Sequence, residues 1–109
     1  MVIQMQKAYE KIRLTKEVID EIINLSKKYF GRNSRVWIFG SRADVTKRGG
    51  DIDIYIETPE YSDIIDKKLD FLVELDKKIG EQKVDLVVKP LNSSDFISRE
   101  AKSKGIRIY

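Results

Sequence analysis

Three aspartates carry the chemical interest of this 109-residue chain: Asp51 and Asp53, two apart in "GDIDIYIE" (50–57), and Asp85, which interrupts the apolar run "VDLVV" (84–88). In an extended chain residues two apart share a face, with Cα atoms about 6.6 Å apart. Asp51 and Asp53 therefore present like charges side by side. Asp85 stands among valines and leucine, where an ionised carboxylate is costly to bury without a partner. Something positive belongs among the three, either a Lys or Arg or a hard divalent cation. Oxygen-only donors suit Mg²⁺ or Mn²⁺ better than zinc. Mg²⁺ keeps several waters and joins one or two carboxylates to substrate phosphates, so three aspartates are enough to place two ions.

Eleven positions before Asp51 lies Gly40, followed by Ser41 and Arg42. Glycine lets a phosphate approach the backbone, and Ser41 can open a helical turn whose free N–H groups face an anion. Arg42, with Lys47 or Arg48 further along, offers charge-assisted contacts to a triphosphate. Taken singly, each feature also has a plain structural reading. A D-x-D on a half-exposed strand can be a solvated face, a Gly-Ser pair can be a turn, and Asp85 can be the buried partner of a lysine. The conjunction and its order are what favour a phosphate and metal site.

The elements that must position these groups are legible from periodicity. Thr15 can cap an amphipathic helix over 15–30, with Val18, Ile22, Leu25 and Tyr29 on its apolar face and Gly31 as its stop. "RVWIF" (35–39) reads as a central strand covered on both sides. A short helical turn is expected over 41–46. "DIDIYIE" (51–57) alternates, with Ile52, Ile54 and Ile56 on one face and Asp51, Asp53, Tyr55 and Glu57 on the other. Ser62 is placed to cap a helix to about Lys78 whose apolar face would be Ile65, Leu69, Leu72, Leu75 and Ile79. "VDLVV" is a further buried strand, 94–104 a last helix with Ser94 as cap, and "IRIY" (106–109) an edge strand. The pattern is α/β: a small mixed sheet of three to four strands with helices packed on it. Residues 1–13 form a tail or lead-in, and 14–109 the domain.

Composition narrows the chemistry further. Without cysteine or histidine, thiolate and imidazole nucleophiles, bases and metal ligands are all excluded. The net charge of +3 is uneven: residues 1–50 carry eleven Lys/Arg against five Asp/Glu. Spaced lysines on helices are ordinarily solvated faces, so this charge does not by itself establish direct nucleic-acid binding. No apolar run approaches a membrane span and no signal-peptide pattern opens the chain, so a cytoplasmic location is expected.

The string Phe39-Gly40-Ser41, nine residues, Asp51-Ile52-Asp53-Ile54, and later Asp85 resembles the nucleotidyltransferase superfamily that includes polymerase beta. "GSRA", "GDIDIYIE" and the ending "GIRIY" look like its minimal nucleotidyltransferase (MNT) branch. Asp44 and Val45 depart from that branch, which commonly has a basic residue and a glycine there. The resemblance implies the nucleotidyltransferase fold and the transfer of a nucleoside monophosphate, AMP from ATP or its equivalent from another NTP, to an acceptor hydroxyl. It implies that Asp51, Asp53 and Asp85 are both metal ligands and catalytic residues for two Mg²⁺ ions, or Mn²⁺, and that Gly40, Ser41 and Arg42 bind the nucleotide. It also implies an antitoxin role, with a HEPN-domain toxin as partner and acceptor. Homodimerisation, a non-catalytic antitoxin of the same fold, and a small-molecule (aminoglycoside-type) nucleotidyltransferase stand as alternatives.

Overall fold

The computed structural model describes residues 12–40, 51–80 and 82–109. The expected turn over 41–46, with Ser41 and Arg42, lies outside the described residues. The first described helix, α1 (Lys16–Phe30), begins where Thr15 Oγ1 accepts a hydrogen bond from the Val18 amide at 3.2 Å. A side-chain oxygen at that position satisfies one of the amides that a helix start leaves unpaired. The buried ridge of α1 is Ile19, Ile22, Leu25 and Phe30, with Val18 and Tyr29 at its margin. The face is therefore turned by about one residue from the one the spacing suggests.

Strand β1 (Arg35–Phe39) pairs antiparallel with β2 (Ile52–Thr58). Helix α2 (Ile64–Ile79) then carries the chain over to β3 (Val84–Pro90), which runs parallel to β2. A parallel pairing needs a crossover of this kind, whereas β1 and β2 need none. Helix α3 (Phe96–Lys104) follows, and the two-residue β4 (Ile106–Arg107) closes the sheet antiparallel to β1. The order is β3-β2-β1-β4, a mixed four-stranded sheet with β1 inside it, as the consecutive apolar residues of "RVWIF" predict.

Helices cover both faces. On one, α1 and α2 bury Val36, Ile38, Ile52, Ile54 and Ile56 in the main core, with the Phe30 and Phe71 rings 5.8 Å apart at its centre. Ile12 joins this core. On the other, α3 lays Ala101 against Trp37 and Tyr55, whose rings lie 5.5 Å apart. Burial of apolar area on both faces is the dominant favourable contribution to such a fold. Among the described residues no helix is long and apolar enough to cross a membrane.

Three further expectations need correction. Helix α2 is capped at Asp63, in the left-handed conformation and without a side-chain cap bond, and not at Ser62. Asp95, which accepts from the Ser98 amide, and not Ser94, caps α3. The face of α2 differs in part: Leu72, Leu75 and Ile79 meet the core as expected, joined by buried Phe71, while Ile65 is 76% exposed and Leu69 and Val73 are exposed with it. The helix is apolar over more than one face, and the larger Phe71 takes the core, rotating Ile65 and Leu69 outward. Leu69→Lys should accordingly change stability by less than about 0.5 kcal/mol in urea unfolding, as surface changes do. A loss of several times that size would return Leu69 to the core.

Candidate active site

The sheet's register assembles the site. Phe39 on β1 pairs with Asp53 on β2, and Asp53 pairs with Asp85 on β3, so the three stand in one row across neighbouring strands. Residues paired in a parallel ladder point the same way and lie about 4.8 Å apart. The two carboxylates thus face out together, beside the α3-covered part of the sheet. Because β3 is an edge strand, Asp85 is exposed and not the buried aspartate its apolar neighbours suggested. Asp53 is half-buried. Asp51 lies just before β2, and its carboxylate oxygen is 3.8 Å from the Lys83 ammonium.

Gly40 ends β1 with φ of +72°, a left-handed backbone. A Cβ placed there would collide with Asp53 Oδ2 and come within 3.0 Å of its Cγ. The missing side chain therefore makes room for the carboxylate as well as for the turn, which explains glycine at this position on two independent grounds. Gly40→Ala should lower stability by about 1–2 kcal/mol from the backbone conformation alone. Urea unfolding measures this, and an unchanged midpoint would show that the turn relaxes freely.

Electrostatics single out Asp53. Its pKa is raised above the ordinary carboxylate value, first by burial, then by the negative charge of Asp85 and that of Asp51, with Lys83 relieving only part of the effect. The row is short of positive charge. A cation placed among these oxygens would reverse the imbalance, because an opposite charge nearby favours the ionised form. The donors are all carboxylate oxygens, which fit a hard divalent ion. Among the described residues no three acidic side chains are gathered closely enough to form a complete ligand cage. The arrangement is a carboxylate pair, Asp53 and Asp85, with Asp51 beside it.

The order of these elements, a strand ending in Gly40, a second strand bearing Asp53, and a parallel third bearing Asp85, agrees with a family comparison. The nucleotidyltransferase domain family matches residues 16–108. The chain belongs to this family. A search among curated proteins finds no significant match. The mixed sheet with helices on both faces is therefore a nucleotidyltransferase-type fold, and every described element lies within the matched span.

Two groups of this nucleotidyltransferase domain escaped the sequence. Lys83 lies opposite Asp51, a relation that follows only from the pairing of Ile52 with Val84. Glu57, assigned to a polar face, is fully buried: Tyr55 donates to it at 2.7 Å, the Asn92 amide at 3.0 Å and Lys102 at 2.7 Å. Period-two alternation reports which residues share a face, but not whether a later helix covers it. Here α3 does.

Proposed function

We propose that the protein transfers a nucleoside monophosphate, AMP from ATP in the first instance, to an acceptor hydroxyl. The observation that carries this reading is the in-register pair Asp53 and Asp85 beside Gly40. Asp51, Asp53 and Asp85 would hold two Mg²⁺ ions, for which Mn²⁺ can substitute. Such ions supply charge neutralisation on the phosphates and a fixed line between attacking and leaving oxygens.

The chain's own groups do the rest. Gly40 lets the phosphates reach the backbone at the end of β1, and Ser41 and Arg42, next in sequence, are assigned to the triphosphate. Half-buried Asp53 is the fixed point of the site, held between Phe39 and Asp85 in the ladder. Exposed Asp85, on the edge strand, is where an acceptor hydroxyl can arrive and give up its proton. The acceptor oxygen then bonds to the α-phosphorus, the bond from that phosphorus to the bridging oxygen breaks, and pyrophosphate leaves.

For the acceptor we propose a HEPN-type toxin, with the present chain as its antitoxin. The likeness of "GSRA" and "GDIDIYIE" to the MNT branch supports this. So does the ridge Ile65, Leu69 and Val73, exposed apolar side chains at i+4 spacing along α2, with exposed Tyr61 just before the helix, which a second protein could bury. The same ridge favours the rival reading, an antitoxin that neutralises by contact alone. Incubation with α-labelled ATP, Mg²⁺ and a HEPN-type helical protein that the chain inhibits separates the two. Label on the partner supports the transferase, and an unlabelled partner that is still inhibited supports the binder.

A further inference from the structure

The carboxylate row has a fourth corner. In the parallel ladder Asp53 pairs with Asp85 and Ile52 with Val84, so position 83 continues the register opposite position 51. The Ile52 amide donates to the Lys83 carbonyl at 2.9 Å, which fixes the backbone there. Lys83 and Asp85 are two apart on one strand, and Asp51 and Asp53 two apart on the next. Three carboxylates and one ammonium therefore stand on a quadrilateral with sides of about 4.8 and 6.6 Å at the backbone. The ammonium rests 3.8 Å from Asp51 Oδ2, on a side chain that is 70% exposed. A charge-assisted contact at its best lies at about 2.7–2.9 Å, so this one is loose.

We infer that Lys83 is a built-in counterion of the carboxylate site, displaced from Asp51 when a divalent cation enters and then free to meet the phosphates the cation brings. The inference rests on the proposed metal-dependent reading of Asp51, Asp53 and Asp85. Lysine suits both tasks: its ammonium is a compact point charge on a flexible four-carbon stem, and it can move several ångströms without disturbing the strand. A metal arriving alone competes with Lys83 for Asp51. A metal arriving with a nucleotide does not, because the phosphates supply a new partner for the ammonium. The lysine thus biases the site toward the metal–nucleotide complex and against bare metal.

This gives effects of opposite sign on two ligands. Lys83→Met should bind Mn²⁺ alone about two- to five-fold more tightly, the scale of an exposed ion pair removed as competitor. It should bind Mn²⁺ with a nonhydrolysable ATP analogue at least about ten-fold more weakly, the scale of one hydrogen bond to a charged group. Lys83→Glu should exaggerate both changes. Calorimetric titration of the full chain with each ligand reads both constants, and circular dichroism checks that the variants fold. Unchanged affinities in Lys83→Met, or affinities that fall together for both ligands, would overturn the role of Lys83 while leaving the metal site standing. Wild-type protein that binds no Mn²⁺, or binds it equally well as Asp53→Asn, would instead remove the metal reading beneath it.

Discussion

Asp53→Asn is expected to cut nucleotidyl transfer by about 10²-fold or more, the scale on which loss of one organised electrostatic group acts in an active site. It should do so while leaving the protein as stable as before, or more stable. Asp53 is half-buried beside Asp85 and within the field of Asp51, and its folded pKa is raised. A carboxylate whose pKa is raised on folding opposes folding while it is ionised. That cost is present above the raised value and fades as pH falls through it. Asparagine keeps the shape and removes the charge. Thermal unfolding near pH 7 should therefore place Asp53→Asn at or above wild type, and the difference should close on acidification. Added Mn²⁺ should raise the melting temperature of wild type and not of the variant, because only a ligand of the folded state stabilises it. A marked loss of stability in Asp53→Asn would recast Asp53 as a structural anchor.

The second large effect concerns the cover of the site. Lys102→Met should cost about 2–3 kcal/mol at neutral pH, somewhat under the 3–5 kcal/mol typical of breaking a fully buried pair, because Lys102 keeps some exposure. Glu57 has no exposed side-chain surface, whereas Lys102 is 28% exposed and reaches it at 2.7 Å. Burial alone pushes the Glu57 pKa up, but hydrogen bonds from Lys102, Tyr55 and the Asn92 amide outweigh it and bring the pKa below the ordinary 4.5. A depressed carboxylate contributes stability above its unfolded pKa and loses it as pH falls through the folded value. The Lys102→Met penalty should thus be full near neutrality and shrink on acidification.

Glu57→Gln should cost less than Lys102→Met. The amide oxygen still accepts from Tyr55 or Asn92, and the freed Lys102 head can turn to water. Denaturant unfolding of both variants between pH 3.5 and 7 gives the ranking. The reverse order would mean that α3 is held by packing on Trp37 and Tyr55 and owes little to the ion pair.

Local chemistry explains what the sequence disclosed. Ile52, Ile54 and Ile56 alternate with Asp51, Asp53 and Tyr55, and a period of two can only be a strand with two distinct faces. That Asp53 and Asp85 serve one site is legible from the motif, but their pairing in one ladder comes from the fold, where the 16-residue helix between the strands carries the chain over to a parallel neighbour. Other features depend on tertiary choices. Helix α2 has apolar residues on two faces, and which one enters the core is decided by the fit of Phe71 against Phe30. The burial of Tyr55 and Glu57 depends on α3, some forty residues later in the chain. Lys83 is one lysine among many until register sets it opposite Asp51.

Crystals grown with Mn²⁺ and a nonhydrolysable ATP analogue test the account at its centre. Anomalous density between the Asp53 and Asp85 carboxylates, with the analogue's phosphates against Gly40, is the predicted result. Manganese bound elsewhere, or an ammonium group seated between those two aspartates with the nucleotide present, would contradict it.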